Sequence, residues 1–182
     1  MRIPSWLRLL HGYSATLGEL LLVYSTAVVF ASLVLISIQD RLAGLSALQV
    51  AILVMVSLDL AGGAIANLSH GTRTYWQSRN TNLRILFLAV HAIHGIGIAY
   101  VFPEAAAAVA VAYMWMVVAG SVLILTRKTS VPLALALVVI GAAAIHLPQG
   151  LELATSLLLS VFLVKLVFSF AAGPIEFGKR NS

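Results

Sequence analysis

Six apolar stretches of about 17 to 25 residues, each closed by a short polar break, run along this 182-residue chain. They cover approximately residues 14–38, 45–66, 85–102, 105–125, 131–147 and 153–173. A bilayer core about 30 Å thick is crossed by roughly 20 helical residues, so each stretch reads as one crossing. Pro132 stands near the start of the fifth, where a helix has no N–H to lose. The expected fold is all-α, a polytopic bundle of six transmembrane helices forming one membrane domain over residues 1–182.

Composition narrows the function classes. The chain is 61% hydrophobic and 9% charged, with mean hydropathy +1.03, whereas soluble domains carry about a quarter charged residues. That excludes an ordinary soluble domain, a disordered chain and a disulfide-stapled module. Cysteine is absent, which removes redox thiols, thiolate metal ligands and iron–sulfur clusters.

The basic residues set the orientation, because lysine and arginine in short loops stay on the cytoplasmic side. With the N-terminus inside, the inner segments hold Arg2, Arg8, Arg73, Arg79, Arg84, Arg127, Lys128, Lys179 and Arg180. The outer loops hold only Arg41, and Lys165 falls within the sixth span. Both termini are therefore expected in the cytoplasm, and the net charge of +5 is a topology signal. No soluble face carries it, so nucleic acid is not an expected partner. The apolar run after Arg8 is longer than a secretory signal core and contains Glu19, and it reads as an uncleaved first helix. The expected location is a cell membrane, bacterial or archaeal, crossed several times.

Ionisable side chains inside these spans cost at least about 2.5–3.5 kcal/mol each and so need a partner, a cavity or a function. There are five: Glu19, Asp59, His91, His94 and Lys165. At a rise of about 1.5 Å per residue they lie roughly 9, 12, 10, 15 and 12 Å from the cytoplasmic ends of their spans. One polar layer in the cytoplasmic half is the expectation. Asp59, Gly63 and Asn67 lie at i, i+4 and i+8 on one stripe of the second span, flanked by Gly62 and Ala66, where a neighbouring helix can come close. His91 and His94 share a face at i and i+3. Together with a carboxylate from Asp59 or Glu19 they would suit a divalent metal such as zinc or iron. The same side chains would serve equally as interhelical hydrogen bonds, with Lys165 paired to Asp59 or Glu19.

A second cluster lies in the loop from Asn67 to Arg79. Arg73 and Arg79 could clamp a phosphate or lipid headgroup beside Tyr75 and Trp76, or act as plain positive-inside anchors. Tyr113 and Trp115, near the middle of span four, could line a pocket, with core packing as the leading expectation. Four membrane chemistries are set aside. An intramembrane serine protease would need a histidine facing Ser121, and the sixth span has none. A retinal protein would place its Schiff-base lysine where Lys165 stands but needs a seventh helix. A haem would need two histidines at one level, and His146 is expected near the opposite surface. Phosphatidyl transfer is hinted at by Asp59 before Gly62 and Gly63, without the further aspartates it uses.

Three functions stay open. The first is a transporter or ligand-binding membrane subunit using Glu19, Asp59, Asn67, His91, His94, Lys165, Arg73 and Arg79, open to the cytoplasm and coupled to protonation. Its ligand would be small and lipophilic or ionic, and it would need a homo-oligomer or a larger membrane complex. The second is an enzyme on a lipid or lipophilic substrate, with Asp59, His91, His94 and Glu19 catalytic and Asp59, His91 and His94 holding the metal. The third is an accessory subunit whose polar layer is structural.

Overall fold

The computed structural model describes residues 3–126, 131–147 and 150–172. Arg2, Arg127, Lys128, Lys179, Arg180 and the end of the sixth stretch at residue 173 lie outside the described residues. All described regular elements are helices: α1 (Arg8–His11), α2 (Leu17–Ser37), α3 (Ala47–Leu68), α4 (His70–Gln77), α5 (Thr81–Val90), α6 (Ala92–Val101), α7 (Ala106–Thr126), α8 (Val131–His146) and α9 (Leu153–Leu163). A π-helical segment, Val164–Ala171, continues α9.

Local chemistry starts these helices. Thr16 and Glu19 form a capping box on α2, and Ser46 and Gln49 form another on α3. Ser69 caps α4, and Asn80 caps α5. Each box satisfies backbone N–H groups that a helix start leaves without partners.

Five helical runs are long and apolar enough to cross a bilayer: Leu17–Ser37, Ala47–Leu68, Thr81–Val101, Pro103–Thr126 and Leu153–Ala171. Their limits fall within about four residues of those expected from the sequence. Val131–His146 is apolar too but has 16 residues, about 24 Å of helix, which is less than the bilayer core. Large apolar side chains such as Leu21, Met55, Ile93, Val118 and Val139 are exposed on the outside of the bundle. Such a surface is at home in lipid and would be a liability in water. These features mark an integral membrane protein.

The last run, Leu153–Ala171, sits in the middle. Its apolar window is 61% buried, against 28–44% for the other four, and it packs against α2, α3, α7 and α8. α3 lies beside it, with α2 on one flank and α6 on the other. The small-residue stripe serves as expected on the α2 side, where Gly62 faces Ala27 and Val23. Tyr113 and Trp115 are core side chains whose polar atoms are satisfied across helices. Tyr113 donates to the Ala89 carbonyl at 3.0 Å, and Trp115 to that of Leu137 at 2.8 Å.

The two ends of the bundle are tied differently. At one end Arg41 pairs with both Glu104 and Glu152, at 2.8 and 2.6 Å, and so joins three inter-helix connections. Those two carboxylates hold the Arg41 guanidinium above its ordinary pKa. At the other end the segment before α2 folds back over α4. There Gly12, at φ 69°, lies against Gly71, and the Thr72 hydroxyl donates to the Leu10 carbonyl at 3.2 Å.

Candidate functional site

Asp59 projects from the middle of α3 toward the two neighbouring runs. Lys165, only 3% exposed, pairs with its Oδ2, and His94 Nε2 meets the same oxygen at 2.5 Å. Both pairs fall on Oδ2, so Oδ1 has no hydrogen bond among the described residues. A lysine buried to this degree needs a carboxylate to offset the loss of hydration. Asn67, two turns further along α3, donates to the Lys165 carbonyl at 3.4 Å.

The histidines come together because their helix is not a regular α-helix. At His91 the backbone switches to i→i+3 bonds: His91 N–H donates to Leu88 and His94 N–H to His91, at 3.1 and 3.0 Å. In 3₁₀ geometry residues i and i+3 eclipse. The two rings accordingly stack with centroids 4.9 Å apart and planes 14° from parallel. His91 Nδ1 lies 2.6 Å from the Phe87 carbonyl. A carbonyl only accepts, so Nδ1 carries the proton and Nε2 presents its lone pair. One ligand atom from each of Asp59, His91 and His94 falls within 4.8 Å of the others.

Lys165 reaches Asp59 from a second irregular run, the π-helical segment. Thus two of the three backbones that meet here depart from α geometry at the site, a placement typical of π and 3₁₀ segments in functional regions.

A cavity of about 770 Å³ borders this cluster. Its polar side chains are Asp59, Asn67, His91, His94 and Lys165, joined by His11 and Tyr24, and the rest of the lining is apolar. A second groove of about 750 Å³ reaches Asp59 and His94 from the α3–α6 side, and Met55 borders both. Tyr24, Val28, Met55 and Val90 line the first cavity and are exposed on the flank of the bundle. Leu10 and His11, from the segment before α2, form its other end. The exposed part of the lining, from α2, α3 and α5, thus lies on the side of the bundle; the sequence led us to expect a site open to the cytoplasm.

Four of the five intramembrane ionisable residues meet: Asp59, His91, His94 and Lys165, with Asn67 at the edge. Glu19 does not join them. Its carboxylate accepts from the Thr16 N–H at 2.7 Å and the Thr16 hydroxyl at 3.0 Å, closing the capping box of α2. It occupies the first turn of its helix, which starts at Leu17, so the depth counted from the start of the apolar stretch placed it too far in. Arg73 and Arg79 do not line the cavity either. The loop that carries them is mostly helix α4, and Arg79 stacks over the Tyr75 ring at 4.2 Å. His146 bonds Ser160 at 3.0 Å, away from the cluster.

His11 was missed from the sequence. It is 5% exposed, its Nε2 lies 2.9 Å from the Tyr24 hydroxyl, and burial pushes its pKa below the ordinary 6.5. Only the fold-back of the preceding segment brings it to the cavity, and no spacing in the chain announces that. An aromatic series also escaped notice: Tyr75, Trp76, Phe87 and His91 contact one another in order, with Phe170 stacked on Phe87 at 4.4 Å. In comparisons with known proteins, no family model, no curated protein and no solved structure matches this chain.

Proposed function

We propose that this chain is a six-span membrane protein with both termini in the cytoplasm, acting as a transporter or ligand-binding membrane subunit for a small lipophilic molecule with a polar head. One observation carries the reading: the four ionisable side chains of the cluster converge on a mostly apolar cavity whose lining continues onto the bundle's flank. A ligand of this kind leaves its apolar part among Val28, Met55 and Val90 and brings its polar group to Asp59, His91, His94 and Lys165. Pockets of about 300–1,000 Å³ with few polar groups are the usual form of small-molecule sites. The alternation of basic residues supports the topology.

Two experiments test this. The protein purified from its own membranes is extracted and its lipophilic content compared by mass spectrometry with that of Asp59→Asn and His91→Ala. A compound enriched on the wild type and lost from both variants supports binding, and an identical complement in all three refutes it. Topology follows from single cysteines, which the chain lacks. Ser78→Cys should resist an impermeant maleimide applied outside cells, and Ala43→Cys should react.

A membrane enzyme is the second reading, favoured by the three ligand atoms gathered from Asp59, His91 and His94. It separates from the first if a membrane lipid is chemically altered only when the wild-type protein is present.

A further inference from the structure

We infer that Asp59, His91 and His94 form a binding site for a divalent first-row metal ion, and that Lys165 is the resident cation the metal has to displace. The inference stands whether or not the cavity carries a ligand.

The donor atoms argue for a cation. The Phe87 carbonyl fixes the proton of His91 on Nδ1 and turns the Nε2 lone pair into a free ligand. A second-shell carbonyl of this kind is the normal support of a metal-binding histidine. Asp59 Oδ1 carries no hydrogen bond among the described residues, and His94 Nδ1 is buried without a partner there. Asp59 Oδ1 and His91 Nε2 thus offer lone pairs, which an ion satisfies and a hydrogen-bond acceptor does not.

Geometry agrees with chemistry. Zinc–nitrogen bonds of about 2.0–2.1 Å put tetrahedral ligand atoms roughly 3.3 Å apart. The three donors already lie within 4.8 Å of one another, with His94 and Asp59 in direct contact. Two histidines and one carboxylate leave further coordination positions toward the cavity, the set used by catalytic zinc and by non-haem ferrous sites.

Lys165 supplies the new element. Its ammonium holds Oδ2 of the carboxylate whose Oδ1 a metal ion would take, and two cations on one carboxylate in a low-dielectric site repel strongly. Metal and lysine are therefore alternative occupants. The carbonyl of Lys165 is held by Asn67, so the backbone stays in place when the ammonium swings away.

The test uses the full chain in detergent, stripped with chelator and titrated with Zn²⁺, with Mg²⁺ as control and Fe²⁺ under anaerobic conditions to distinguish the ions. One Zn²⁺ per chain is expected, and at least tenfold weaker binding in His91→Ala/His94→Ala. Lys165→Met should bind at least tenfold more tightly than the wild type, because nothing has to be displaced. Cobalt substitution of the wild type gives an independent reading, since a site of this donor set yields the visible bands of low-coordinate Co²⁺. A wild type that takes neither zinc nor cobalt overturns the site. Zinc binding unchanged in the double histidine variant overturns the ligand assignment, and Lys165→Met binding no more tightly than wild type overturns the displacement. Should Lys165→Met fail to fold, Lys165→Gln keeps a donor for Asp59 and carries the same comparison.

Discussion

The end of the Lys165 side chain runs across the bare face of Gly63: a Cβ there would stand 2.5 Å from Cε and 2.9 Å from Nζ. Gly63 is one turn from Asp59 on α3, so its missing side chain is the channel through which the ammonium reaches the carboxylate. Gly63→Ala should therefore push Lys165 off Asp59. Overpacking of this sort costs typically about 1–3 kcal/mol, here lowered because a flexible side-chain tip is what must give. The expected readout is a lower thermal midpoint, with the loss smaller when Lys165→Ala, which removes Cδ, Cε and Nζ, is made in the same chain.

Removing either partner of the Asp59–Lys165 pair should not be equivalent. Breaking a buried pair costs about 3–5 kcal/mol when it strands a charge. Lys165 is 4% exposed at its side chain and Asp59 38%, and Asp59 keeps His94 as a partner. Asp59→Asn should thus destabilise more than Lys165→Met, and the double change should recover part of the loss. Chemical denaturation in mixed micelles measures all three, and a double variant as unstable as Asp59→Asn alone would falsify this account.

The fold-back of the first residues depends on Gly12. Its φ of 69° is open to glycine and strained for an L side chain, and a Cβ there would land on the Gly71 backbone. Strain alone is of order 1–3 kcal/mol. Gly12→Ala should release the segment from α4, and trypsin should cut after Arg8 several-fold faster than in the wild type while the bundle stays intact.

The same segment should respond to pH through His11. Burial holds the folded pKa below 6.5, so the unfolded chain takes up this proton first as pH falls. The stabilisation is fully present above about 6.5 and is lost as the pH drops through that value toward the lower folded pKa. His11→Gln, which keeps a hydrogen bond for Tyr24 but does not titrate in this range, should give a flatter thermal midpoint between pH 5 and 8. Equal slopes in both proteins would remove His11 from the account.

The long helices and most of the polar cluster were legible in the sequence because both follow from one dimension, the distance along a helix. Counting 1.5 Å per residue brought Asp59, His91, His94 and Lys165 to one level. It failed for Glu19, where Thr16 three residues earlier is a helix-start signature that outranks depth. What could not be read is rotation. Depth does not say that His91 and His94 eclipse through a 3₁₀ pinch, nor that the cavity faces sideways, because both depend on how helices turn about their axes.

The π-helical run bears on that rotation. Lys165 and Phe170 are five residues apart, and in an α-helix that spacing sets side chains about 140° around the axis from one another. A π-helix bonds i→i+5 and turns less per residue, which brings the two nearer to one face, one on Asp59 of α3 and the other stacked on Phe87 of α5. The segment therefore encodes a length. Shortening it by one residue between Lys165 and Phe170 would let an ordinary α-helix keep both contacts, while every substitution that straightens it at constant length must give one of them up.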